Sequence, residues 1–166
     1  MKCRVNFEPP NIHHLNAAQG WLGLGNSIEA DAELDQIAPE LQHSQEVLEI
    51  RWQIHARHKQ WEKCVEYANT LVESIPDHPM GWVHRSYALH ELKRTREAFD
   101  ALLPALARFP EDWLIQYNLA CYCCRLKDFQ RALNYLEQAC KLGDARDIKA
   151  MALKDSDLLE VRNLLP

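Results

Sequence analysis

The side chains best suited to chemistry are the thiols of Cys121, Cys123 and Cys124, with Cys140 further along the chain. Cys121 and Cys124 stand three residues apart, so on a helix they share a face. They would offer either a dithiol for redox exchange or two soft ligands for a metal. A reactive thiol needs a cause for a lowered pKa, such as a helix N-terminus, and this pair lies inside an apolar periodic stretch. A zinc site needs four ligands; Cys140 would supply a third, and no second Cys-x-x-Cys occurs. Compact buried packing residues are the other reading of these cysteines. His13-His14, His55 with His58, and His84 with His90 fit no His-Glu-x-x-His frame, and Gly20, Gly23 and Gly25 lack the Lys-Ser/Thr of a phosphate-binding loop. The residues therefore predict a non-enzymatic protein with no catalytic residue, no metal site and no cofactor. A thiol-based redox or metal-responsive module built on Cys121, Cys124 and Cys140 is the alternative.

The elements that carry these residues repeat. Steps of 34 from Ala30 reach Cys64, Ala98 and Ala132; the column four further on is Leu34, Ala68, Leu102, Leu136, and the next is Ile37, Leu71, Ala105, Ala139. A fixed period of this length marks a stack of supersecondary units, each unable to bury its apolar face alone. Apolar spacing of three and four residues predicts two amphipathic helices per unit, joined at Gly25-Asn26, Lys59-Gln60, Lys93-Arg94 and Lys127-Asp128. Small residues where two helices cross let their backbones approach. Pro76 and Pro110 close the second and third units, where a helix must stop. The predicted frame is an extended segment over 1–10, four repeats at 11–44, 45–78, 79–112 and 113–146, and capping helices over 147–166. The last of these starts at Asp157 with a capping-box-like Asp-Leu-Leu-Glu and runs through Leu165.

Over residues 11–146 the period and columns resemble the tetratricopeptide repeat. The likeness is strongest in Trp82-Val83-His84-Arg85-Ser86-Tyr87-Ala88 with Ala98, Ala105 and Pro110, and in Asn118-Leu119-Ala120-Cys121 with Phe129, Ala132 and Ala139. Departures are Arg51-Trp52 and Arg85, where the family has Leu and a small residue, and Gln42 and Asp144 in place of the closing proline. The resemblance implies an all-α fold, a right-handed α-α superhelix (solenoid) of helical hairpins. It also implies that first helices line a concave groove used to bind a peptide or helix of a partner protein.

By that analogy the groove stripes are Ile12, Glu46, Met80, Leu114; Leu15, Glu49, Val83, Tyr117; Asn16, Ile50, His84, Asn118; and Gln19, Gln53, Tyr87, Cys121. The expected partner contacts are Met80, Val83, His84, Tyr87, Leu114, Tyr117, Asn118 and Cys121, an apolar and aromatic patch suited to a bound helix or extended peptide. The alternative is self-coverage by Leu158, Leu159, Val161, Leu164 and Leu165. None of the eight lysines lies on a stripe, so the family's carboxylate clamp is not expected; Asn118 alone resembles one of its positions. The turns form a predicted basic edge of Arg57, Lys59, Lys93, Arg94, Arg96, Arg125 and Lys127, opposite Asp77, Glu111, Asp112 and Asp144. Such charges either compensate helix dipoles or dock an acidic partner.

Composition limits the partners further. Among 166 residues, 19 Lys+Arg against 24 Asp+Glu give a net charge of −5, which disfavours nucleic acid. The five tryptophans fall mostly in packing columns rather than in a basic groove. No stretch approaches the ~18 apolar residues of a membrane span, and no targeting segment is seen, so a cytoplasmic protein with a protein partner is expected. Stacking through the hairpin ends offers a route to a homo-oligomer.

Overall fold

The computed structural model describes residues 6–164, and the ends of the predicted terminal segments, 1–5 and 165–166, lie outside the described residues. Four helical hairpins succeed one another: α1 (Asn11–Gly23) with α2 (Ser27–Asp35), α3 (Gln45–Arg57) with α4 (Trp61–Ser74), α5 (Pro79–Glu91) with α6 (Thr95–Leu102), and α8 (Trp113–Arg125) with α9 (Phe129–Leu142). A one-turn helix α7 (Ala105–Arg108) follows α6, α10 (Ala145–Lys154) follows α9, and short 3-10 turns span Pro39–Leu41, Ser156–Leu158 and Arg162–Leu164. The described residues contain no strand.

Each hairpin turns in the same way. In every case the residues after the first helix form a pair of reversed backbone hydrogen bonds, Gly25 N–H to Leu22 and Asn26 N–H to Trp21 in the first hairpin. Lys59 and Gln60 do the same to Ala56 and His55, Lys93 and Arg94 to His90 and Leu89, and Lys127 and Asp128 to Cys124 and Cys123. This is a Schellman closure, which satisfies carbonyls the helix end would leave orphaned and requires a left-handed residue. Gly25 takes it at φ 84°, whereas Lys59, Lys93 and Lys127 are held at φ 54°, 65° and 65°. Three side chains therefore occupy a conformation that only glycine adopts without cost.

The chain folds as two compact units, one ending at Pro76 and one beginning at Asp77. In the first, Phe7 of the irregular leading segment packs with Leu15, Ala18 and Leu22 of α1, with Ala30 and Leu34 of α2, and with Val47, Ile50 and Ile54 of α3. In the second, α8 is the central element, packed on α5, α6 and α9, and its Ile115, Leu119 and Ala120 are wholly buried. The repeat columns explain both cores, because all twelve residues of the three main columns are no more than 3% exposed. Each leucine among them contributes about 1.5–3 kcal/mol by leaving water. Two large apolar side chains of the hairpins stay partly outside, Trp21 at 37% and Phe129 at 41% exposure. Gly143, after α9, is held against the Trp113 ring and Ile148, so closely that a Cβ there would lie 2.9 Å and 2.8 Å from them.

Three local features differ from the sequence expectation. The second helix of the third hairpin is broken, because Pro104 has no N–H to continue it. The Ala101 carbonyl freed near the break accepts a hydrogen bond from Arg85 Nη2 at 3.0 Å, and the same guanidinium lies 5.0 Å from the Trp82 ring centroid. The second helix of the first hairpin stops at Asp35, and Gln42 Nε2 donates to the carbonyls of Leu34 (2.8 Å) and Ile37 (2.7 Å). Gln42 Oε1 in turn accepts from Arg51, which also pairs with Asp31 and Asp35. Gln42, Arg51 and Arg85, which depart from the repeat pattern, thus bond to its shortened or broken second helices. Finally, no α-helix begins at Asp157. Residues 156–164 form two 3-10 turns, capped by Asp155, whose Oδ1 accepts the Asp157 N–H at 2.9 Å. Asp157 is engaged elsewhere.

Candidate partner-binding face

The second unit places two helices under one segment. α5 and α8 pack together, and the chain leaving α10 runs over α8 from Asp155 to Val161. Asp155 Oδ2 accepts hydrogen bonds from Tyr117 Oη at 2.9 Å and from Cys121 Sγ at 3.6 Å. Asp157 Oδ2 lies 2.8 Å from His90 Nε2, and its Oδ1 is 3.5 Å from Arg125 Nε. The other His90 nitrogen meets Thr95 Oγ1 at 3.0 Å, which fixes the ring. Leu158 and Val161 are wholly buried, while Leu159 between them faces solvent.

Electrostatics follow from burial. Desolvation pushes the Tyr117 hydroxyl and the Cys121 thiol well up, with the Asp155 charge adding to it, so both remain protonated donors at neutral pH. The hydrogen bond from His90 holds the Asp157 carboxyl below its ordinary value against the opposing effect of burial, with His90, Arg125 and Lys93 contributing charge. Burial, with His78 beside it, draws His84 down to about 4 and leaves it neutral at physiological pH.

The eight residues read from the sequence as partner contacts divide accordingly. Tyr117 and Cys121 are buried, and the Asp155 carboxylate is seated on them. Val83 is buried at 6% exposure. Met80, His84, Leu114 and Asn118 are half-buried, and Asn118 donates its amide to the Leu114 carbonyl of its own helix at 2.9 Å. Tyr87 is exposed beside the segment, its hydroxyl pushed up by burial of its lower part and by the carboxylates of Glu91, Asp157 and Asp155. Sequence reasoning missed Asp155 and gave Asp157 and His90 other roles. The available signal was the pair of aspartates two residues apart ahead of Leu158.

Among the described cysteines, Cys64, Cys121, Cys123 and Cys124 are buried and Cys140 is half-buried. Cys121 and Cys124 do share a face, and the segment covers it: the Cys124 thiol, raised by burial, meets the backbone of Glu160. Burial pushes Cys64 and Cys123 up to about 11 and raises Cys140 as well. Among the described residues no three His, Cys, Asp or Glu side chains gather as a metal site would require. His55 is a buried histidine bonded to Gln60 Oε1 at 2.6 Å and stacked on Tyr67.

The corresponding face of the first unit is open. A cleft of about 360 Å³ lies over stripe positions Gln19, Glu46, Glu49, Ile50 and Gln53, with Arg57 at its end. The turn residues of both units are exposed: Arg57 and Lys59 in the first, Lys93, Arg94, Arg96, Arg125 and Lys127 in the second. Lys93, Arg94, Arg96 and Arg125 border a shallow hollow of about 380 Å³, where Glu97 pairs with Arg94 at 2.6 Å. On the opposite ends Asp112 accepts the backbone N–H groups of Leu114 and Ile115 in α8, and Asp144 those of Arg146 and Asp147 in α10, as helix capping asks of them.

No protein-family model matches the sequence, and no curated protein matches it. Solved structures do resemble the fold. The tetratricopeptide-repeat protein TTC0263 of Thermus thermophilus superposes at a TM-score of 0.73 with 19% identity, covering 91% of this chain and 80% of that one. MamA from Desulfovibrio magneticus RS-1, residues 41 to end, gives 0.71 with 18% identity over 92% of this chain and 89% of that one. MamA MSR-1 gives 0.65 with 18% identity over 81% and 76%. At these identities the likeness is one of fold: an all-α helical repeat of the tetratricopeptide kind.

Proposed function

We propose that this tetratricopeptide-like protein is a non-enzymatic interaction scaffold, which holds a peptide or helix of a partner protein against the concave faces of its first helices. One observation carries the reading. The α5 and α8 face already holds a short segment outside any α-helix, residues 155–161 of its own chain, through side-chain hydrogen bonds and two buried aliphatic residues. A surface that accommodates such a segment has the donors and apolar seats that peptide recognition needs. The partner contacts are Met80, Val83, His84, Tyr87, Leu114 and Asn118, with Tyr117 and Cys121 at the seat that the segment occupies. The reading includes a reducing, cytoplasmic setting, which suits the unpaired thiols of Cys64, Cys121, Cys123, Cys124 and Cys140.

The test is affinity capture from the source lysate under reducing conditions, with the wild-type chain set against Met80→Ala/Tyr87→Ala. Both side chains are at least partly exposed, so the variant is expected to keep its fold and to lose its partners by about tenfold or more. An unchanged set of captured proteins would remove the face from the reading.

A further inference from the structure

The segment over α8 shows by its own chemistry what the face recognises. Two carboxylates stand two residues apart, each with its own receptor. Asp155 is received by neutral donors, the Tyr117 hydroxyl and Cys121 thiol, and Asp157 by a histidine and an arginine. Leu158 and Val161, the next position and the one three beyond it, are wholly buried. The face thus combines a two-point carboxylate grip with two aliphatic seats, and it does so without a lysine in contact. Charge-assisted bonds to Asp157 are stronger than neutral ones, and the buried Tyr117 and Cys121 donors are penalised when left without an acceptor, so the arrangement discriminates against segments lacking either acid.

The way the segment is held matters as much as what holds it. Its backbone hydrogen bonds are internal, from Leu158 to Asp155, Val161 to Leu158 and Leu164 to Val161. Among the described residues no backbone–backbone hydrogen bond ties 156–164 to α5 or α8; the one backbone group of the segment that meets α8 is that of Glu160, at the Cys124 thiol. Attachment is mainly by side chains, the Glu160 backbone at Cys124 being a contact that any peptide can make, so a peptide that presents the same side chains in the same order can replace the segment.

Resting on the scaffold reading above, we infer that the partner is a protein segment of acidic-aliphatic pattern, Asp/Glu-x-Asp/Glu-Leu-x-x-Val, and that residues 155–161 are the resident internal ligand it displaces. A tethered ligand acts at an effective concentration on the order of millimolar, so it competes with every partner that lacks a better fit and sets a threshold for binding.

The probe is a fluorescent peptide of residues 153–164, titrated by anisotropy against the full chain. The wild-type chain is expected to bind it weakly. Asp155→Ala/Asp157→Ala, which releases the internal ligand and leaves the receptor residues intact, is expected to bind it at least about tenfold more tightly. A peptide with both aspartates changed to asparagine is expected to lose that gain. A folded double variant that binds no better than wild type would overturn the inference and make the segment a permanent cap. Should the variant not fold, hydrogen exchange on the wild-type chain decides. Millimolar peptide is expected to accelerate exchange at 156–161 and leave α8 protected, and unaltered exchange at 156–161 would overturn the inference. Neither failure touches capture of partners through Met80 and Tyr87, so the scaffold reading stands or falls separately.

Discussion

The two units present the same stripe positions in opposite conditions. In the first, Glu46, Glu49, Gln19 and Gln53 line an open cleft beside Ile50. In the second, the equivalent positions include Met80, Val83, Tyr87, Leu114, Tyr117 and Cys121, and part of that face is covered by residues 155–161. The first helices are of equal length and their turns close alike, so along these faces the difference lies in the side chains. An apolar face exposed to water costs about 25 cal/mol for each Å² left uncovered, and the second unit carries a cover; charged and amide side chains need none. Repetition of backbone therefore fixes where the stripe face lies, and the stripe residues decide whether it is covered.

The comparison is most strongly broken at Leu158. Leu158→Ala removes a wholly buried side chain, and destabilisation of the second unit by about 2–5 kcal/mol is expected. Hydrogen exchange resolved along the chain checks it: α5 and α8 should lose protection while α1 to α3 keep theirs. Equal loss in both units would mean that the cover serves the whole molecule.

A smaller effect sharpens the contrast through pH. The folded Asp157 carboxyl sits below its ordinary value, so its contribution is complete above the usual carboxylate pKa of roughly 4 and is lost as pH falls through the lower, folded value. Detachment of 155–161 at acid pH is expected, followed by NMR of the Leu158 and Val161 methyl groups. Asp157→Asn should weaken attachment at neutral pH and remove this component of the acid dependence. A wild-type transition unchanged in Asp157→Asn would assign it to another carboxyl.

The smallest effect tests the likeness rather than the difference. Lys59→Gly, Lys93→Gly and Lys127→Gly each relieve a left-handed lysine, offset in part by the flexibility glycine adds to the unfolded chain, and a net gain of about 0.5 kcal/mol is expected. Denaturant titration should give similar values at Lys59 in the first unit and Lys127 in the second, since the same Schellman bonds close both turns. Unequal values would show that the turns are alike in geometry only.

The repeat was legible because its signal is local. Residues 34 apart that meet the same environment must be of the same type, and the columns through Ala30, Leu34 and Ile37 all lie in the core. The turn positions were legible for the same reason. The break at Pro104 and the early stop of α2 interrupt the local pattern and were not read, although Arg85 and Gln42 stood out as departures. The 155–161 segment was legible only as an apolar stretch able to cover the groove. The local capping signal favours Asp157, with Glu160 three residues on, and what overrides it is distant: Asp157 bonds to His90, 67 residues away, and Asp155 caps instead. Spacing within a helix cannot report a bond of that range.

The hydrogen bond from Arg85 to the Ala101 carbonyl also ties two positions into a single inherited unit. With Pro104 in place, the helix cannot run on regularly and that carbonyl needs an outside donor. If a descendant sequence replaced Pro104 by an ordinary helix former, the Ala105 N–H would reclaim the carbonyl, and a half-buried guanidinium would lose its main hydrogen-bonding role. Arginine at 85 and proline at 104 are thus physically coupled, and near relatives of this sequence are expected to keep both or lose both.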